Sequence, residues 1–302
     1  MALARLLILL PHRLQLAAGP LLGKLFMRLN PYRRLIVNTN LTLCFPQLED
    51  SERQQLYKRI VRSLGLSLVE EASSIWASDK FFDGMGTVQG LEHIEAAQAQ
   101  GKGVLLLSGH FCSVDFAGRV LLRHYPVCFT YQELRNPLSN HILTRARERF
   151  AHRLIHRHDI RAFIKALKQG EVVWYAPDQS LERKNSVFAP FFGIQANTLT
   201  ATTKLARITG AAVLPFEIRR RPDSVGYALT IQPPLEDFPG ENETADATRF
   251  NALLEAQVRE HPEQYLWIHR RFKKRPEGEA KLYPPKPRRV RRQQRLNRSG
   301  KL

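Results

Sequence analysis

Cysteine is scarce in this chain, with Cys44, Cys112 and Cys128 the three present. Three thiols cannot all pair within one chain, and their spacing matches no metal motif. A disulfide scaffold is therefore not expected, and a reducing, cytoplasm-facing setting fits. Long apolar runs are lacking as well. Residues 1 to 30 are apolar but interrupted by Arg5, His12, Arg13, Lys24 and Arg28, and Pro11 and Pro20 are expected to break the helical period. The longest uncharged stretch there, Leu14 to Gly23, is about half of what a membrane-crossing helix needs. The run Leu6 to Leu10 is short and no small-residue cleavage site follows it in good register, so a secretory signal is not expected either. There is no phosphate-binding glycine loop, internal repeat or zinc motif. Acidic residues are outnumbered, 28 against 46 Lys and Arg, for a formal net charge of +18 over 302 residues. Such a balance implies an anionic partner: nucleic acid, an anionic membrane face, a phosphorylated lipid or an acidic carrier protein.

Half of that charge sits at one end. From Lys281 to Leu302 there are nine Lys or Arg and no Asp or Glu, in a proline-bearing stretch without helical or strand period. Residues 284–302 read as a disordered basic tail, with anionic lipid ahead of nucleic acid as its partner. At the other end, Leu, Phe and Met set against a sparse basic face suggest that residues 1–30 lie in a membrane interface rather than across it. With 43% hydrophobic and 25% charged residues, the remainder, 31–283, is long enough to bury a full core as one domain.

What the chain does have is a run from Val104 to Leu107 that stops at Ser108-Gly109-His110. It reads as a buried strand, bounded in front by Gly101 and Gly103, with Ser113 behind it as a helix N-cap. His110 then stands at a strand end and Asp115 in the first turn of a helix. A carboxylate on one imidazole nitrogen fixes the tautomer and leaves the other nitrogen to take a proton from a hydroxyl. The pair His110 and Asp115 is thus the expected general base with its orienting acid. No nucleophilic side chain is needed if the acyl donor is a thioester.

Around this centre the pattern alternates. Strands are expected at 104–108, 126–131, 172–176, 212–218 and 226–232, and helices at 114–124, 138–150, 159–169, 199–208 and 246–260. Further helices are expected within 32–76, one with an N-cap at Ser51, and another at 91–100. This is an α/β fold with a mostly parallel central sheet flanked by helices, its site at strand C-terminal ends.

Several blocks resemble the bacterial lipid A late acyltransferases, most closely the lauroyltransferase branch. They are Asn40 to Pro46; Gly103 to His110 with Asp115; Asn136-Pro137-Leu138 followed by Arg147, Arg149, Arg157 and Asp159; Ile164 through Asp178; Val187-Phe188 with Pro190; Leu205-Ala206-Arg207; and Pro262 through Tyr265, Trp267, His269 to Phe272 and Arg275 to Gly278. The blocks are collinear from about residue 20 to 283. The resemblance implies a glycerolipid-acyltransferase-like fold and a peripheral or monotopic enzyme on the cytoplasmic face of a Gram-negative inner membrane. It would move an acyl chain from acyl carrier protein to a hydroxyl of a lipid A precursor of the Kdo2-lipid IVA type, in lipopolysaccharide biosynthesis, with no metal and no cofactor. Arg147 and Asp178 stand at further functional positions of the family, Arg147 to hold a phosphate or oxyanion and Asp178 to hold Arg147 or bind sugar hydroxyls. Arg149, Arg157 and Lys184 are weaker candidates for the lipid's phosphates and sugar acids. The chain departs from the branch in having Asp115 where Glu is usual and Gln132 where Arg is frequent.

Three other readings compete. One is a same-fold enzyme using acyl-CoA on another glycolipid or aminolipid. The second is a covalent route through Cys112 or Ser113. The third is a non-catalytic basic adaptor for membrane or nucleic acid; no aromatic stacking run or helix-turn-helix signature supports nucleic acid.

Overall fold

The computed structural model describes residue 5 and residues 8–111, 113–179 and 185–286. Lys184, Cys112 and most of the expected basic tail fall outside these. The first helices are α1 (His12–Leu29), α2 (Pro31–Cys44) and α3 (Asp50–Trp76). Pro20 lies inside α1 instead of ending it. What holds α1 together there is tertiary: Gly19 and Gly23 face Gly65 of α3 so closely that a Cβ on Gly65 would collide with the Gly19 carbonyl oxygen. Backbone-to-backbone contact of this kind outweighs the one hydrogen bond that a proline removes. α3 starts one residue before the expected cap at Ser51: Glu49 and Glu52 form the capping box, with the Glu49 N–H donating to Glu52 at 2.9 Å. Among its expected packing residues Leu56, Ile60, Val61, Leu64 and Leu66 are buried, whereas Leu68 is exposed.

The α/β core follows in the order β1 (Gly86–Gln89), α4 (Leu91–Ala99), β2 (Val104–Leu107), α5 (Val114–Leu121), β3 (Cys128–Tyr131), α6 (Pro137–Glu148), β4 (Arg153–His156), α7 (Ile160–Lys168) and β5 (Val172–Tyr175). A hairpin of β6 (Ser186–Phe191) and β7 (Ile194–Leu199) leads to α8 (Ala201–Thr209), β8 (Ala212–Arg220), β9 (Tyr227–Ile231) and α9 (Glu243–Glu260). Among the described residues seven strands make one sheet in the order β1-β9-β8-β2-β5-β3-β4. Every neighbouring pair is parallel except β8 with β9. All four residues of β2 are buried, as a central strand covered on both faces requires. The mostly parallel α/β expectation therefore holds. Sequence patterning missed β1, β4 and the β6–β7 hairpin; the first two are four-residue strands at the sheet edges, too short for a period to register.

Among the described residues no helix is long and apolar enough to cross a membrane. α1 nevertheless leaves Leu14, Leu21, Leu25 and Leu29 exposed along one side, Leu21 and Leu29 by about 70%. If the glycine seam fixes α1 on α3, Gly65→Ala should overpack it and destabilise the fold by about 1–3 kcal/mol. Urea unfolding measures this, and an unchanged midpoint would contradict the packing.

Candidate active site

The central strand β2 runs out through Ser108 and Gly109 to His110. The Trp174 indole donates to Ser108 Oγ at 2.6 Å. Gly109 packs so closely on Leu254 of α9 that a Cβ there would push the Leu254 side chain aside. Both contacts fix the strand end from which His110 projects. On the neighbouring strand Leu107 is paired with Tyr175. Three residues beyond each, His110 and Asp178 come level.

They bond. His110 Nδ1 lies 2.5 Å from Asp178 Oδ1, and the His110 backbone N–H donates to Asp178 Oδ2 at 3.0 Å. The Tyr265 hydroxyl donates to the same Oδ2 at 2.9 Å, and the Leu266 N–H donates to the His110 carbonyl at 3.0 Å. Asp178 is 1% exposed. Burial is the largest single influence on both and opposes their charges, but the partner's charge and the hydrogen bonds between them together outweigh it: the imidazole is held above its usual 6.5 and the carboxyl well below the usual carboxylate range. His110 remains about 30% exposed at its side chain, and among the described residues its Nε2 has no hydrogen-bond partner. A second imidazole, His269, sits near the pair and stays neutral, since burial brings it down to about 4.

The expected pairing of Asp115 with His110 is thus corrected: Asp178 is the acid on the imidazole. Asp115 takes both Nε and one terminal nitrogen of Arg147, at 2.6 and 2.7 Å. The reason is local. In the first turn of α5, Asp115 faces α3 and α6, which carry Glu71 and Arg147, rather than the strand end. Burial first, and then the charge of Asp115, raise the Glu71 carboxyl well above the usual carboxylate range, and a hydrogen bond joins the two side chains. Arg147 is accordingly held by Asp115 and not, as one expectation had it, by Asp178.

Arg149 donates to the Ile75 carbonyl, and Arg157 lies past β4 at the sheet edge, its Nε 3.3 Å from His158. Neither bonds to His110, Asp178, Asp115 or Arg147. Lys184 lies outside the described residues. Ser113 occupies the N-cap position but caps nothing. Its hydroxyl donates to Glu70, and Arg220 donates to it at 3.0 Å. Glu70 and Arg220 form a two-pronged buried ion pair at 2.7 and 2.6 Å, joined by the Tyr227 hydroxyl. This network ties α3, β8, β9 and the start of α5 together beneath the site. No spacing rule points to Glu70, Arg220 or Tyr265; Tyr265 lies within a block of family resemblance.

At the opposite sheet end, Cys128, His152 and Glu171 have donor atoms within 4.8 Å of one another. Arg153 already holds Glu171 at 2.7 Å, and burial first, then the bond to Glu171, raises the Cys128 thiol far out of the ionising range.

A profile of the bacterial lipid A biosynthesis acyltransferases matches residues 1–274. The chain belongs to that family. It is 39% identical to the lipid A biosynthesis palmitoleoyltransferase of Escherichia coli K12 over 91% of this chain and 90% of that one. Identity to the lauroyltransferase of the same organism is also 39%, over 92% and 91%. The E. coli myristoyltransferase is 30% identical over 88% and 83%. Among solved structures, the 1-acyl-sn-glycerophosphate acyltransferase PlsC of Thermotoga maritima covers 82% of this chain and 97% of its own at 15% identity, with a TM-score of 0.40. The chain is therefore an acyltransferase of lipid A biosynthesis.

Two outcomes test the geometry. A base must be neutral to act, so kcat/KM should rise with pH through a midpoint above 6.5. In Asp178→Asn burial acts unopposed, the midpoint should fall below 6.5, and the rate should drop about a hundredfold or more. An unmoved midpoint in a pH–rate profile would contradict the pairing. Arg220→Met strands the Glu70 carboxylate and should cost about 3–5 kcal/mol in denaturant unfolding, much of which the double variant with Glu70→Gln should recover.

Proposed function

We propose that this acyltransferase moves a fatty acyl group from the thioester of acyl carrier protein to a hydroxyl of a Kdo2-lipid IVA-type precursor, using His110 as general base. The observation that carries the reading is the partly exposed imidazole fixed by Asp178 through Nδ1, with no hydrogen-bond partner for Nε2 among the described residues. In the reaction, Nε2 takes the proton of the acceptor hydroxyl as its oxygen attacks the thioester carbonyl. The tetrahedral oxyanion collapses, the C–S bond breaks, and the departing thiolate takes the proton back from the imidazolium. General-base action supplies roughly 10²- to 10⁴-fold, and stabilising the oxyanion supplies much of the remainder. Arg147 has Nε and one terminal nitrogen committed to Asp115, which leaves its other N–H groups to hold the oxyanion or a phosphate. Asp115 acts in this scheme as the residue that aims Arg147.

A covalent route through Ser113 is disfavoured by its burial and by its engagement with Glu70 and Arg220. Work at a membrane surface is supported by α1. Leu14, Leu21, Leu25 and Leu29 stand out between the exposed Arg13, Lys24 and Arg28. Each half-exposed leucine gains ~1 kcal/mol on entering the apolar phase, and each nearby cation about as much at an anionic leaflet.

The test is mass spectrometry of lipid A from cells with and without the protein, joined to turnover of purified enzyme on acyl carrier protein thioester and on acyl-CoA. A fixed acyl mass should be lost with the protein and should not return with His110→Ala, whose turnover should fall a hundredfold or more. Equal use of acyl-CoA, or an acyl mass retained without the protein, would overturn the reading.

A further inference from the structure

A cleft of about 380 Å³ opens beside the site between α3 and the end of β8. Its lining includes Arg59, Arg62, Arg219, Arg220 and Arg221 against a single carboxylate, Glu263. Glu70 neutralises Arg220 from behind. The other four are not matched in this way. Arg59 and Arg62 are exposed, and among the described residues neither makes a hydrogen bond or ion pair. Arg219 and Arg221 make only long ion pairs, to Glu260 and Asp223, each at 3.9 Å and with the acid more than half exposed. Four guanidinium groups brought together, two with no acid and two with only long, solvent-exposed ion pairs, repel one another. Such an arrangement is relieved by an anion with several oxygens, which guanidinium forks bind bidentately.

Position says which anion. β8 is parallel to β2, with Leu107 opposite Pro215, so the end of β8 lies at the same edge of the sheet as His110. A small adjoining cleft lined by Phe111, Glu217, Arg219 and His261 connects the arginines to the residue after His110. On the other side Arg62 is shared with a second cleft of about 350 Å³, lined also by Lys24, Arg28, Arg34 and Lys58. That second cleft runs under α1, the helix with the exposed leucines. The arginine cleft therefore lies between the apolar stripe and the base.

We infer that this cleft, through Arg59, Arg62, Arg219 and Arg221, is the subsite for a sugar phosphate on the head group of the lipid acceptor. The inference rests on the proposed reaction for its substrate class and adds the place where the acceptor's phosphate is held. It also explains why the proposed base sits beside so much weakly compensated positive charge. With the phosphate anchored here, the acyl chains extend toward α1 and a hydroxyl of the acceptor is offered to His110.

The test compares wild type with Arg59→Ala/Arg62→Ala, two exposed positions whose loss should leave the unfolding midpoint unchanged. Binding of glucosamine 1-phosphate and of glucosamine is followed by NMR, and turnover is measured with a phosphorylated lipid A precursor and with its phosphatase-treated form. The sugar phosphate should bind wild type and lose about tenfold in affinity in the variant, while glucosamine binds neither. The KM for the phosphorylated acceptor should rise about tenfold in the variant, the KM for the acyl donor should not move, and the phosphatase-treated acceptor should be equally poor with both proteins. Unchanged sugar-phosphate binding in the variant would overturn the inference. So would a rise in the donor's KM alone, which would assign the cleft to the acidic carrier. Because the binding arm needs no turnover, an enzyme inactive on every lipid A precursor would refute the reaction and still leave the cleft's ligand decided.

Discussion

The short contact between His110 and Asp178 depends on two neighbouring parallel strands being in register. Once Leu107 lies opposite Tyr175, equal extensions of three residues place the imidazole and the carboxylate side by side at the sheet's C-terminal edge. The charge-assisted bond forms where water is excluded from Asp178, which strengthens it and makes either partner alone costly to bury. The surrounding contacts serve this geometry. Tyr265 fills the second carboxylate oxygen, Leu266 braces the His110 backbone, and Trp174 and Leu254 fix the two residues before it.

Beneath this pair the molecule keeps a second set of buried charges. Glu70 and Arg220 come from a helix and a strand 150 residues apart, and their bond is supported by Ser113, Tyr227 and Ser63. A buried ion pair adds little stability over an apolar substitute, yet it tolerates one arrangement of its neighbours only. Here that arrangement sets the start of α5 and with it Asp115, whose carboxylate in turn aims Arg147. Two acids thus serve two bases in separate pairs, and neither pair borrows from the other.

The positive charge of the chain acquires a direction in three dimensions. Along the sequence Arg59, Arg62 and Arg219 are scattered; in the fold they converge on one cleft at the site's edge, with Lys24, Arg28 and Lys58 continuing it beneath α1. The leucine stripe of α1 lies beside them, so apolar and anionic recognition occupy adjoining surfaces, as a lipid with a charged head requires.

The sequence by itself determined the alternation of elements, the burial of β2, the position of His110 at a strand end and the family, because these depend on local period and on blocks of contiguous residues. It also brought out Asp115, Arg147 and Asp178 as residues of the site. Only the tertiary structure decided which acid belongs to which base. Asp115 is near His110 along the chain, but a helical first turn carries it toward Glu71 and Arg147, whereas Asp178, 68 residues away, is delivered by strand pairing. The passage of α1 through Pro20 was decided in the same way, by glycines on a helix that no local window contains. Sequence spacing measures separation along the chain, while hydrogen bonds depend on separation in space, and in a parallel sheet the two are related only once the strand order and register are known.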